Sequence, residues 1–184
     1  EFYYILLDEG PLTQRLVELA AGDSLLIAPK ASGFLSLSEV PQAENLWLLS
    51  TGTALGPFLS ILKTGEPWAR FNDVVLVHAV RQAKELTYRE QIEAIAAAHP
   101  DQFHMVPFVT REDTSFAIKA RVPQAIHDGR LEARAGVAIA PDKSQVMICG
   151  NPDMVRDTED ALQARGLKKN RRKDPGQITV EAYW

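Results

Sequence analysis

Cysteine is almost absent: Cys149 is the only one in 184 residues. A single thiol excludes an intramolecular disulfide framework. It also excludes a four-cysteine iron–sulfur cluster within these residues, and it fits a reducing compartment such as the cytoplasm. No run of 18 or more apolar residues occurs, so no membrane-spanning helix is expected. The opening EFYYILLDEG has no basic stretch ahead of its apolar one, so no secretory signal is read there. It also lacks an initiating Met and opens inside what reads as a strand, as a portion of a longer protein would. Neither sign of charge dominates, with 20 Lys and Arg against 24 Asp and Glu, net −4. A small net charge with 46% hydrophobic residues excludes a disordered chain. Internal repeats and low-complexity segments are missing as well. The length suits one domain, or one domain with a small companion.

What is present falls into two patterns. Residues 1–38 read as mostly β structure: a β-branched and aromatic run at Glu1–Leu7, a helix over Leu12–Ala20 after Gly10-Pro11, and a strand at Ser24–Ala28. Residues 39–184 alternate strands and helices. Strands are expected at Asn45–Ser50, Asp73–Ala79, Phe103–Val109 (weakened by Pro107), Gln145–Cys149 and Ile178–Tyr183. Helices are expected at Thr53–Lys63, Leu86–His99 with Thr87 as cap, Val122–His127 and Asn151–Ala164. This alternation predicts an α/β fold: a parallel, doubly wound, five-stranded sheet with helices on both faces.

Four features carry chemistry. The first is STGTALGP, a strand end followed by a glycine turn and a helix start. Gly52 lets a backbone approach a phosphate closely, and the helix start offers unpaired N–H groups. The pattern is not GxGxxG, and a plain strand–helix turn would look the same. The second, CGNPDMV, has the same grammar around Gly150, so the two turns would face one crevice at the carboxyl edge of a sheet. Cys149 at that strand end, taken alone, reads better as a small buried hydrophobe.

The third feature is Arg81, Arg111 and Arg121, each after or near a strand end. Their guanidinium forks suit a phosphate, although each alone is more often solvated. The fourth is Arg165–Lys173, which holds six cations in nine residues and leaves the rest of the chain far more acidic than −4. Such a stretch steers an acidic partner or is simply a solvated loop. Nucleic acid is not expected, because the acidic remainder would repel it. The closing Tyr183-Trp184 is unusual for a terminus. The pair would stack on a planar group or anchor the tail by packing.

Together, EFYYILL, GPLTQRL, GDSLLIAPKASGF, STGTALGPFLSIL, VLVHAVR, TRE, KARVP, CGNPDMVRDT and EAYW resemble, in order, the ferredoxin/flavodoxin–NADP+ reductases. The resemblance is greatest to the short bacterial type ending in Tyr-Trp. It implies an antiparallel FAD-binding barrel, of which 1–38 is the last part, followed by a NADP-binding α/β domain over 39–184. FAD and NADP(H) would be the cofactors. The family's Arg-x-Tyr-Ser segment does not occur in this chain.

The resemblance assigns Tyr3, Leu12, Thr13, Thr53, Tyr183 and Trp184 to FAD. It assigns Gly52, Thr53, Arg81, Arg111, Arg121, Gly150 and Asp157 to NADP. Cys149, Glu181 and Tyr183 would stand at the reacting centre, with Tyr183 covering the ring until nicotinamide displaces it. The implied reaction is hydride transfer with NADPH, then one-electron exchange with ferredoxin or flavodoxin docked near Arg165–Lys173. The enzyme would be a cytoplasmic monomer. Two other readings fit the same residues. One is a nucleotide-binding module or inactive fragment that docks an acidic protein; the other is the reductase component of an oxygenase.

Overall fold

The computed structural model describes residues 2–30 and 33–182. The chain divides into two compact units, Glu1–Gly33 and Phe34–Trp184.

The first unit has one helix, α1 (Pro11–Leu16), shorter than the sequence predicts. Among the described residues, the strands expected at Glu1–Leu7 and Ser24–Ala28 do not form. A strand exists only where its N–H and C=O groups meet a neighbour, and within this unit the two runs do not pair. Apolar side chains such as Phe2, Leu12 and Leu26 are exposed, since so short a unit cannot enclose a core.

In the second unit the sheet is parallel throughout. Its strands are β1 (Asn45–Thr51), β2 (Asp73–Val80), β3 (Phe103–Val109), β4 (Ser144–Gly150) and β5 (Ile178–Ala182). Their order is β3-β2-β1-β4-β5. Strands β1, β2 and β4 are nearly continuous apolar runs, buried along almost their whole length, as a sheet covered on both faces demands. Pro107 is tolerated because β3 is the edge strand, where a missing N–H breaks no inner ladder. The outer side of β3 is closed by a short parallel bridge from Phe108 to Ile118, which removes an open edge.

The helices follow from the strand order. Right-handed crossovers place α2 (Leu55–Leu62) and α4 (Arg89–Ala98) on one face, because β1, β2 and β3 step in one direction. The return from β3 to β4 and on to β5 puts α5 (Val122–His127), α6 (Arg130–Ala135) and α7 (Pro152–Gln163) on the other. On that second face Trp47, Leu49, Val77, Phe108 and Ile148 meet Ile126, Leu131 and Leu162 in a single core. A short α3 (Glu66–Arg70) follows α2. Helix α4 begins three residues later than the sequence predicts, with Tyr88 rather than Thr87 at its N-cap in a left-handed conformation (φ 56°). No helix among the described residues is long and apolar enough to cross a membrane.

The basic stretch after α7 is partly absorbed by the fold. Arg165 grips the Glu132 carboxylate with its two terminal guanidinium nitrogens and donates to the Ile139 carbonyl at 2.9 Å. Burial works to raise the Glu132 pKa, but the Arg165 bonds and the Ile139 N–H outweigh it and hold that pKa below its usual value. The contribution is therefore present above the ordinary carboxylate range and is lost as pH falls through the lowered value. Lys169 pairs with Glu159 and Arg172 with Glu39. Lys168, Arg171 and Lys173 have no such acidic partner among the described residues.

Candidate functional site

All five strands run the same way, so Thr51, Val80, Val109, Gly150 and Ala182 end at one edge of the sheet. The strand order reverses between β1 and β4. Chain leaving β1 turns to one face and chain leaving β4 to the other, and a crevice opens between them. Gly52, just after β1, and Gly150, the last residue of β4, therefore stand at the ends of neighbouring strands.

The two glycine turns are not equivalent. Gly52 has φ +54° and opens a 3-10 turn over Gly52–Ala54 that leads into α2. A Cβ added there would meet nothing within 4 Å, so conformation and not crowding calls for glycine. No side chain caps this turn or the start of α2, and its main-chain N–H groups are available to an anion. Gly150 has φ +146°, and a Cβ there would collide with Thr51 Oγ1 and crowd Met154 Cε at 3.0 Å. The Asn151 N–H donates to Thr51 Oγ1 at 3.2 Å, while Asn151 Oδ1 accepts from the Asp153 and Met154 N–H groups. The start of α7 is thus capped from within the chain. Its glycine closes the β1–β4 seam, and the open cradle is the Gly52 turn alone.

Below that turn a row of side chains crosses the sheet on the face opposite α5–α7. Register aligns His78 with Ser50, Ser50 with Cys149, and Cys149 with Glu181. Cys149 is fully buried and Glu181 half-buried. Ser50 Oγ donates to the Val77 carbonyl at 2.7 Å. His78 is also fully buried, and neither ring nitrogen completes a hydrogen bond among the described residues. Burial pushes its pKa down to about 4, opposed in part by the Gly52 main chain. Between the ordinary 6.5 and 4 the unfolded chain takes up a proton that the folded one refuses, so His78 lowers stability as pH falls through that window. Sequence reasoning passes over His78 and Ser50, although a polar residue inside the runs VLVHAV and WLLST is the signal that marks them.

The arginines gather at the same edge. Beyond β2 and β3 the ladder continues for two bonds, from the Thr110 N–H to the Val80 carbonyl (3.0 Å) and from the Arg111 N–H to the Arg81 carbonyl (2.9 Å). The Phe108–Ile118 bridge is parallel, so the segment that leads on to Arg121 also runs toward this edge. All three arginines are exposed. Thr53 stands in the Gly52 turn. Asp157 does not join this group: it lies more than a turn into α7, paired with Arg156 at 3.2 Å.

In the first unit, Thr13 Oγ1 accepts from the Leu7 N–H at 3.1 Å and donates to the Gly10 carbonyl at 3.2 Å. Its hydroxyl therefore closes its own turn. Leu12 beside it is exposed and Tyr3 half-buried. Tyr183 and Trp184 lie outside the described residues.

The family model for the oxidoreductase NAD-binding domain matches residues 48–160. The flavodoxin/ferredoxin–NADP reductase of Escherichia coli is 40% identical over all of this chain and 75% of its own length. That of Buchnera aphidicola (subspecies Baizongia pistaciae) is 38% identical over all of this chain and 74% of its own. Among solved structures, a ferredoxin NADP+ reductase from Neisseria gonorrhoeae with bound FAD and NADP superposes with a TM-score of 0.91 at 32% identity. That likeness covers 97% of this chain and 72% of the other. The Amycolatopsis cytochrome P450 reductase GcoB, at 24% identity and a TM-score of 0.61 over 90% of this chain and 45% of its own, shares the fold alone.

The difference between the two glycines is measurable. Gly52→Ala should cost about 1 kcal/mol, the price of a left-handed residue. Gly150→Ala should cost about 3 kcal/mol, because overpacking adds to strain. Urea unfolding midpoints compare the two, and equal losses would show that no close approach holds the β1–β4 seam.

Proposed function

Because the chain belongs to the flavodoxin/ferredoxin–NADP reductase family, we propose that its Phe34–Trp184 unit is the NADP-binding domain and its Glu1–Gly33 unit is part of the FAD-binding domain. The chain is a flavin-dependent oxidoreductase that passes electrons between NADPH and a small ferredoxin or flavodoxin by way of FAD. The observation that carries this reading is the uncapped Gly52 turn, which opens at the strand-order reversal beside exposed arginine loops.

The residues present fit a pyridine dinucleotide. Main-chain N–H groups of Gly52, Thr53 and Ala54 would hold the pyrophosphate, and the open space at Gly52 admits it. Gly150 would line the crevice. Arg81, Arg111 and Arg121 would surround the adenosine 2′-phosphate with charge-assisted bonds. Asp157, engaged with Arg156, would bear on this region only indirectly.

For FAD, the Leu12 and Thr13 main-chain N–H groups are left over at the start of α1, which no side chain caps. Thr13 holds the turn rigid for them; Tyr3 in the same unit, and separately Thr53 in the second unit, are also assigned to FAD. Tyr183 and Trp184 are assigned to its cover. When bound, the two cofactors supply hydride and single-electron chemistry. Cys149 and Glu181, side by side on β4 and β5, would set the polarity at the reacting centre while the burial of Cys149 limits water. The cytoplasm, as a monomer, is the setting this reading assigns.

Two tests follow. Replacing Arg111 and Arg121 by Ala should weaken NADPH binding by about 1–3 kcal/mol per lost charged bond and leave NADH nearly unchanged. Equal losses in fluorescence titrations would remove the arginines from the 2′-phosphate. For docking we keep Arg165–Lys173, supported by its unpaired cations Lys168, Arg171 and Lys173. Reversing those three charges should raise the KM for the acidic carrier severalfold and flatten its salt dependence. An unchanged KM would assign the stretch to the fold alone.

A further inference from the structure

We infer that Glu112, with Glu85, is a specificity-determining positioning residue: it ties together the loops that carry Arg81 and Arg111 and so sets the spacing of their guanidinium groups for a 2′-phosphate. The inference rests on the reading of those arginines given above.

The two chains part company just beyond the Arg111–Arg81 ladder bond. One enters a 3-10 turn over Ala83–Glu85, and the other begins the long loop to α5. At that fork Glu112 reaches across, and its Oε1 accepts the Ala83 N–H at 2.6 Å. Glu85 works from the other side: its Oε2 accepts the N–H groups of Arg81 at 2.8 Å and Gln82 at 3.1 Å. The Gln82 side chain answers by accepting the Glu85 N–H, which completes a capping box. Three consecutive main-chain donors, Arg81 to Ala83, are thereby held by two carboxylates.

These bonds matter because the loops are built mostly of exposed residues. Arg81, Gln82, Lys84, Glu85 and Arg111 are all exposed, and segments with few buried contacts open locally. A carboxylate beside an anion site would ordinarily oppose the anion. Here both acids turn their oxygens onto main-chain N–H groups, so their charge stabilises the loop backbone while the arginine side chains remain exposed. A bidentate grip on phosphate depends on donors held in place beforehand. Loosening the fork costs only a ligand that uses those donors, which separates a 2′-phosphate from a bare ribose.

The whole chain is titrated by calorimetry with 2′,5′-ADP and with 5′-AMP. Glu112→Ala should raise the Kd for 2′,5′-ADP roughly tenfold, the loss of about one hydrogen bond to a charged group, with 5′-AMP moving less than twofold. Glu112→Gln keeps the acceptor and should restore binding to within about threefold of the unsubstituted chain. If Glu112→Ala does not fold, Glu112→Asp, which keeps the charge but withdraws the oxygen by one methylene, should show the same selective loss. Unchanged 2′,5′-ADP binding, or an equal fall for both ligands, would overturn the inference. Arg111→Ala, run in parallel, separates the two ideas. If it spares 2′,5′-ADP, the arginine reading fails. If it loses 2′,5′-ADP while Glu112→Ala does not, only the positioning role fails.

Discussion

Strands β1 and β4 meet so closely at their carboxyl ends that position 150 has no room for a side chain, and the rest of the site depends on that seam. Thr51 Oγ1 occupies the space a Cβ would take at Gly150 and accepts the Asn151 N–H. This contact binds together the two strands between which the sheet reverses its order. A crevice at a reversal needs its walls held at fixed separation, because the helices leaving it depart on opposite faces. With the seam closed on the β4 side by a self-capped helix start, the turn left uncapped beside it is the one that starts at Gly52.

Charge is distributed with the same economy. Three arginines stand exposed at the crevice edge, while the acids nearest to them in the chain, Glu85 and Glu112, are engaged with main-chain donors. In the tail, by contrast, half of a conspicuous basic run is neutralised at home by Glu132, Glu159 and Glu39. Cations that look alike in sequence thus do different work according to the acids the fold brings to them. Beneath the crevice, burial holds the pKa of His78 down to about 4 in the row it forms with Ser50 and Cys149, so above that pH it adds no positive charge to the sheet under the turn.

Much of this was legible beforehand, for identifiable reasons. Buried parallel strands are unmistakable as runs such as NLWLL and DVVLVHA, and β3 and α5 begin and end where the sequence predicts them. Helices α3 and α6 are too short to display a period. Even so, α6 is bracketed by Gly129 and Gly136, both in left-handed conformation, a punctuation that the string GRLEARAG carries in plain view. The first unit misleads because EFYYILL has strand composition, whereas strand structure needs a partner that composition cannot report. The Asn151-Pro152 pair resembles a phosphate turn in sequence and is a self-capped helix start in the fold. The tie from Glu112 to Ala83 spans 29 residues, a reach that no local pattern announces.

The central claim is that a pyridine dinucleotide is received by the Gly52 turn and the arginine loops at the carboxyl edge of the sheet. Amide chemical shifts recorded while NADP+ is added test it most directly. The largest changes should fall at Gly52, Thr53 and Ala54 and at Arg81 and Arg111, with the amino-edge residues Asn45, Asp73 and Ser144 unmoved. Changes centred on that amino edge, with the Gly52 turn silent, would contradict the account.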